Sequence, residues 1–307
     1  MSAPPKFSII VPVFNSRDSL RELFSDIREV FDRMNSTFEV IFVDDCSRDD
    51  SWEVISTLKS EYQDVIKGIR LSKNFGQHNA TFCGMTFARG ELILTIDDDL
   101  QVPPGEIPKL IEVREETGCD LVYGLYHRKK HSGIRNAGSK SLKSGAKALH
   151  GSPGEGSSFR LIQSDLVKQV LQHRQNFIFL DEIFHWYTDD IRFVEVTHLP
   201  RKYKQSGYSF GKLVKLLANL VLYYTMLPLK FLVYGGFLVS LITFIIGLQF
   251  IIKKLVYDVP LGYTSLIVAV LFSTSIILFS LGVLGEYLSR IYQIHNRKPP
   301  YSIKKVI

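Results

Sequence analysis

The sequence predicts an α/β domain followed by a helical hairpin that crosses a membrane, and three observations carry that expectation. Strand-like apolar runs alternate with helical stripes through roughly the first 210 residues. Those runs end in polar or acidic residues. Between Leu229 and Gly285 the chain turns overwhelmingly apolar, with two uncharged stretches each long enough to span a bilayer.

The elements follow in order. KFSIIVPVFN is a compact β-rich run, and the next segment, SRDSLRELFSDIREVFDRM, places Leu20, Leu23, Ile27, Val30 and Phe31 on one helical stripe. FEVIFVDDCS repeats the strand signal, ends in acidic residues, and leads into a second helix over about residues 50–61. KGIRLSKNFG supplies a third strand, HNATFCGMTFARG a helix closed by Gly90, and ELILTIDDD a fourth strand. Repeated β-to-α units with continuous apolar strands imply a mostly parallel sheet covered by helices on both faces. Ligands of such sheets bind beyond the carboxyl ends of the strands. Asn15, Asp44, Asp45 and Asp97 to Asp99 all fall there.

Adjacent carboxylates repel one another and lose hydration when buried, so Asp97, Asp98 and Asp99 need compensation. Asp49 and Asp50 stand just before a helix and are explained by capping. A cap needs one carboxylate, whereas LTIDDDLQVPP offers three between a strand and a Pro-Pro turn. On an extended chain Asp97 and Asp99 leave the same face. An oxygen-seeking cation, Mg²⁺ or Mn²⁺, shared with ligand phosphates would neutralise them.

Charge and cysteine content exclude other classes. The formal charge of +6 sits largely in the second half, where Lys and Arg flank apolar segments, which suits a membrane surface and not a nucleic acid groove. Cys46, Cys83 and Cys119 lack metal-ligand spacing and read as core residues of a reducing compartment. Phe7 to Phe14 is too short and too interrupted by proline for a signal peptide, so the N-terminal domain is expected in the cytosol.

The uncharged stretches run from Phe231 to Ile252 and from Val259 to Gly285, joined by a short connector that forces a hairpin. Basic residues concentrate before the first and after the second, which places both termini in the cytosol and the protein in the cytoplasmic membrane as a multi-pass chain. FGKLVKLLANLVLYYTM sets Leu213, Leu216, Leu217, Leu220 and Tyr224 at helical spacing beside lysines, as an interfacial helix does. The expected organisation is a soluble domain over 1–208, an amphipathic region over 209–228, two membrane helices within 229–288 (about 231–252 and 262–285), and a basic cytosolic tail over 289–307.

SIIVPVFN, VDDCSRDDS, LSKNFGQHNAT, ARGELILTIDDDLQVPP and LGEYLSRIYQIHNRKPPY together resemble the family 2 glycosyltransferases of GT-A fold. They are most similar to the polyprenyl-phosphate branch: dolichyl-phosphate mannose synthases, bacterial glucosyl relatives and undecaprenyl-phosphate aminoarabinose transferases. The resemblance implies a UDP- or GDP-sugar donor, a polyprenyl phosphate acceptor and inversion at the anomeric carbon. It implies that Pro12, Asn15 and Asp45 line the nucleotide pocket with Asp44 and Asp98 in support. Asp97 would face nucleoside or sugar, while Asp99 would ligate Mg²⁺ or Mn²⁺ with Gln101 beside it. A homo-oligomer is compatible with this reading.

Some positions depart from the family. Ser16 stands where relatives carry Glu after the first strand, and Ser158 in GSSFRL stands where many carry a debated catalytic Asp. A phosphate monoester acceptor already carries about 1.5 to 2 negative charges near neutrality, so a base is dispensable. If a carboxylate assists, Asp181 and Glu182 in FIFLDEIFHW are the candidates, against the ordinary reading that they cap or solvate a helix. For the acceptor phosphate, YHRKKHSGIR offers Arg128, Lys130 and Arg135, and PRKYKQSGYSFGK offers Arg201, Ser206 and Tyr208. The alternatives are a processive polysaccharide synthase, for which more spans and a Gln-x-x-Arg-Trp motif are expected, and a non-enzymatic membrane scaffold.

Overall fold

The computed structural model describes residues 4–125, 157–172, 178–200, 202, isolated positions between 231 and 256, 262–295 and 299–307. It divides into two compact units, 1–206 with 299–307 and 207–298.

The first unit is built on an eight-stranded sheet of order β7-β5-β6-β4-β1-β2-β3-β8. In chain order its elements are β1 (Phe7–Val13), α1 (Leu20–Arg33), β2 (Phe38–Asp44), α2 (Ser51–Glu61), β3 (Ile66–Leu71), α3 (Gln77–Met85) and β4 (Leu92–Thr95). There follow a 3-10 turn (Pro104–Glu106), α4 (Ile107–Thr117), β5 (Leu121–Leu125), β6 (Arg160–Gln163), α5 (Ser164–Val170), α6 (Leu180–Tyr187), β7 (Ile191–Glu195) and, at the C-terminus, β8 (Ile303–Val306).

β1, β2, β3 and β4 pair in parallel, as the repeated β-to-α pattern implies. The sheet as a whole is mixed, because β6 runs antiparallel to β4 and β5, and β8 antiparallel to β3. Every residue of β1 is buried, which is why the strand reads as a continuous apolar run and not as an alternating one. The stripe read on α1 is its buried face, with Leu20, Leu23, Ile27, Val30 and Phe31 packed into a core shared with Phe7, Ile9, Val11 and Phe42. Each such side chain contributes roughly 1.5–3 kcal/mol of burial.

The strand order places the chain reversal between β1 and β4. β1 stays paired with β2 as far as Val13↔Asp44, whereas its pairing with β4 ends at Ile10↔Thr95. Pro12, which has no N–H to offer, therefore sits beyond the end of the β4 ladder. The separation of β1 from β4 opens a crevice at the topological switch point.

The last residues differ from expectation. Read as part of a basic tail, Ile303–Val306 instead form the edge strand β8, and Ile307 and Gly68 exchange backbone hydrogen bonds of 2.8 and 3.0 Å. In the second unit α7 (Tyr263–His295) extends ten residues past the expected limit of 285. Its window Phe272–Ser289 is long and apolar enough to cross a membrane, and it is the one such helix among the described residues. The described positions between 231 and 256 are helical; the remainder of the first expected span, and the interfacial helix, lie outside the described residues.

Candidate active site

Four strand ends converge on a cleft of about 220 Å³ lined by Pro12 and Val13 at the end of β1 and Phe14 just after it, Asp45 after β2, Asn74, Gly76 and Gln77 before and within α3, and Asp97, Asp98 and Asp99 after β4. Three non-glycine residues just beyond these strands take positive φ: Asn15 at 50°, Cys46 at 60° and Leu100 at 56°. Such values are uncommon for residues with a side chain and cluster at functional sites.

Hydrogen bonds tie the strand ends together. The Asn15 amide N–H donates to Ser47 Oγ at 2.9 Å, and Asn15 Oδ1 accepts the Arg48 N–H at 2.7 Å. Asn15 thus joins the first two turns and is not among the cleft-lining residues. Asp44 is fully buried, accepts the Ser47 N–H at 2.9 Å, and faces Arg70 Nε as an ion pair at 3.2 Å. It supports the turn from beneath. Asp45 accepts the Phe75 N–H at 2.7 Å on one oxygen and the Gly76 N–H at 2.8 Å on the other, fixing the approach to α3. Gly76 takes φ 92° there, a conformation that a side chain would strain.

The triad divides its work. β4 ends at Thr95, and Asp98 and Asp99 lie in a turn, so the expectation that Asp97 and Asp99 share one face of an extended strand does not hold. All three reach the cleft because the chain turns. Asp97 accepts Gln77 Nε2 and Ser158 Oγ, both at 2.6 Å. Asp98 Oδ2 accepts the Phe14 N–H at 3.0 Å and the Ser16 hydroxyl. Ser16 therefore supplies a contact at the position where the family pattern has Glu. Asp99 Oδ1 accepts the Gln101 N–H at 3.1 Å, and the Gln101 carbonyl accepts the Leu199 N–H at 2.7 Å.

Among the described residues this cleft is lined by four carboxylates and by no Lys or Arg. Burial pushes the Asp97 carboxyl up to about 7, with Asp99 and Asp98 adding to the rise and Ser158 and Arg160 opposing it. Burial also pushes Asp45 up to about 6, against the Phe75 and Gly76 N–H groups. A cation a few ångströms away would restore the ionised forms. Among the described residues no three His, Cys, Asp or Glu groups form a ready-made metal cage. Mg²⁺ and Mn²⁺ do not need one, since one or two carboxylates with ligand phosphates and water suffice. The carboxylate set fits such an ion.

Beneath Asp97 lies a second polar layer. Thr95 Oγ1 donates to the Ser158 carbonyl and accepts Arg160 Nε at 3.1 Å. Arg160, 2% exposed, donates to Asp181 Oδ1 at 2.7 Å, and Tyr123 donates to the same oxygen at 3.0 Å. The guanidinium also stands 5.4 Å from the centre of the Phe184 ring. His78 Nδ1 accepts the Leu180 N–H at 3.4 Å at the start of α6, and its surroundings lower the imidazole to about 4, mainly by desolvation. Asp181 is thus bound to a buried cation, and Glu182 beside it is partly buried.

Of the residues expected at the site, Pro12, Asp45, Asp97, Asp98 and Asp99 come together, while Asn15, Asp44 and Gln101 act as supports behind them. Arg128, Lys130, Arg135, Arg201, Ser206 and Tyr208 lie outside the described residues. Lys202 spans to Glu22 on α1 at 2.8 and 2.9 Å. Sequence reasoning missed Gln77, Phe14 and Asn74. Gln77 was within reach, being the first side chain after Gly76 at the end of the third β-to-α connection.

Comparison with known proteins gives two family matches, "Glycosyl transferase family 2" over residues 8–184 and "GtrB C-terminal hairpin" over residues 228–291. The undecaprenyl-phosphate 4-deoxy-4-formamido-L-arabinose transferase of Shewanella sediminis is 32% identical over 307 residues, covering 98% of this chain and 92% of that protein. The protein of the same name from Pseudomonas savastanoi pv. phaseolicola is 32% identical, with coverage of 99% and 92%. Among solved structures, glucosyl-3-phosphoglycerate synthase from Mycobacterium tuberculosis, in complex with Mn²⁺ and uridine-diphosphate-glucose, aligns with a TM-score of 0.49 at 15% identity, covering 71% of this chain and 77% of that one.

Proposed function

Since the chain belongs to glycosyl transferase family 2, and is a glycosyltransferase, we propose that it moves a sugar from a UDP- or GDP-sugar to a polyprenyl phosphate, undecaprenyl phosphate being the acceptor its relatives' names carry. The observation that carries the reading is the switch-point cleft lined by Asp45, Asp97, Asp98 and Asp99. Carboxylates that burial holds toward the neutral form are suited to a ligand that arrives with its own cation.

In this reading the nucleoside lies along Pro12, Phe14 and Asp45, and the sugar reaches toward Asp97. A Mg²⁺ or Mn²⁺ ion held by Asp99, with Gln101 beside it, would offset the charge that develops on the departing nucleoside diphosphate. The acceptor phosphate oxygen forms the new bond to the anomeric carbon as the bond to the diphosphate breaks. A single displacement of this kind inverts that carbon. The attacking oxygen is already anionic, so positioning is the main requirement and no proton need be removed. Asp181 is assigned to holding Arg160, and Glu182 to the same helix start; neither is needed as a base.

The acceptor phosphate is assigned, on charge and hydrogen-bonding capacity, to Arg128, Lys130, Arg135, Arg201, Ser206 and Tyr208. The hairpin matched over 228–291 and the apolar helix α7 support a membrane setting. There the catalytic unit and both termini face the cytosol, where a lipid-borne phosphate stays at headgroup depth. The test is to incubate purified protein with undecaprenyl phosphate and a panel of UDP- and GDP-sugars, then weigh the lipid. One sugar phosphodiester-linked to the lipid is the expected product. Free sugar alone, or a chain of sugars, would reject the reading.

A further inference from the structure

The carboxylate of Asp97 is gripped from two directions. Gln77 Nε2 donates to one oxygen and Ser158 Oγ to the other, each at 2.6 Å. The donors stand 20 and 61 residues away in sequence, one on the first turn of α3 and one just before β6. Neither contact is a by-product of local backbone geometry.

Ser158 is held in its turn. Its carbonyl accepts the Thr95 hydroxyl, Thr95 accepts Arg160 Nε at 3.1 Å, and Arg160 is locked to Asp181 at 2.7 Å. Through these contacts the buried layer beneath the cleft fixes one carboxylate on the cleft wall. Asp98 and Asp99 are oriented differently, by Phe14, Ser16 and the backbone of Gln101. An ionised carboxylate offers about four lone-pair positions. Two on Asp97 are taken by the clamp, and the side chain still lines the cleft. What it presents there is a fixed acceptor for hydroxyl donors.

We propose that Gln77 and Ser158 are positioning residues that fix the Asp97 carboxylate to accept hydroxyl groups of the donor sugar, and so make the cleft discriminate a nucleotide sugar from the bare nucleoside diphosphate. The inference rests on the donor-site reading above. A preset acceptor is better than a mobile one because its orientation cost is already met in the free protein.

The experiment is calorimetric titration of the full-length protein, in detergent with Mn²⁺, using the best-bound member of the UDP- and GDP-sugar panel and its matching nucleoside diphosphate. Ser158→Ala and Gln77→Ala are each expected to weaken nucleotide-sugar binding about tenfold, the worth of a hydrogen bond to a charged group, while nucleoside diphosphate affinity stays within about twofold. Ser158→Thr, which keeps the hydroxyl, is expected to bind like wild type. In an Asp97→Asn background Ser158→Ala is expected to add little, because the two changes act through one group.

Equal losses for both ligands, or full additivity with Asp97→Asn, would overturn the clamp and leave Ser158 with a structural role. So would a wild-type protein that binds the nucleoside diphosphate as tightly as every nucleotide sugar. Since binding is the readout, absence of lipid product would reject the transfer reading without deciding this one.

Discussion

Replacing Asp181 by asparagine separates an anchor from a base. The side chain keeps its shape and an acceptor oxygen but loses the charge facing Arg160, which is 2% exposed and 2.7 Å away. Breaking a buried ion pair on one side costs about 3–5 kcal/mol. Here the cost is smaller, because the Asp181 side chain is 17% exposed, the amide still accepts, and Arg160 retains Thr95 and the Tyr123 and Phe184 rings. About 2–3 kcal/mol remains. At about 2–4 °C per kcal/mol for a unit of this size, the melting temperature of the purified protein should fall by about 4–12 °C. Below that melt, transfer should stay within about tenfold of wild type, whereas removing a general base costs about 10²–10⁴-fold. A loss of that order without a change in melting temperature would refute the assignment and restore Asp181 as a catalytic base.

Other expectations follow from the same geometry. Gly68→Ala would place a Cβ 2.7 Å from Ile307 Cγ1 and 2.8 Å from Ile55 Cγ2, so it should destabilise by about 1–3 kcal/mol in a thermal melt; a neutral result would mean that the C-terminal strand is not seated on β3. Asp45→Ala removes both anchors of the Phe75 and Gly76 N–H groups and should weaken nucleoside diphosphate binding about tenfold or more by calorimetry. His78 is held neutral, with its pKa lowered from 6.5 to about 4, so between those values the unfolded chain binds the extra proton. Its contribution to stability is therefore present above pH 6.5 and lost as pH falls toward 4. Asp45, raised to about 6, works in the opposite sense between about 3.8 and 6, so the His78 component must be read as the difference between wild type and His78→Asn in melts over pH 4 to 7. Parallel pH curves for the two proteins would contradict it.

How much of this was legible in sequence depends on where each element gets its stability. β1 and β2 were plain because both faces are covered, leaving uninterrupted apolar runs. β8 was hidden because all four of its residues are exposed, and Ile-Lys-Lys-Val after a membrane helix reads as a basic tail. It exists through its ladder to β3, which no local pattern records. The acidic cluster was correctly placed at a strand end, yet its facing was not, since the extended chain assumed for Asp97 and Asp99 gives way to a turn closing on Leu100 at φ 56°. Asp181 reads in sequence as a candidate base or a helix cap, and nothing local marks Arg160 as its partner. Only the fold, by bringing Asp181 of α6 to Tyr123 of β5 and Arg160 of β6, makes them a largely buried pair.

That the strand-end carboxylates form the donor site of a lipid-phosphate glycosyltransferase is decided at Asp99. Single-turnover transfer to undecaprenyl phosphate should be measured for wild type and Asp99→Asn with Mn²⁺ and the active nucleotide sugar. The expected result is a loss of about 10²-fold or more, the scale for removing one preorganised electrostatic stabiliser, with an unchanged melting temperature. Wild-type transfer rates in Asp99→Asn would contradict the claim.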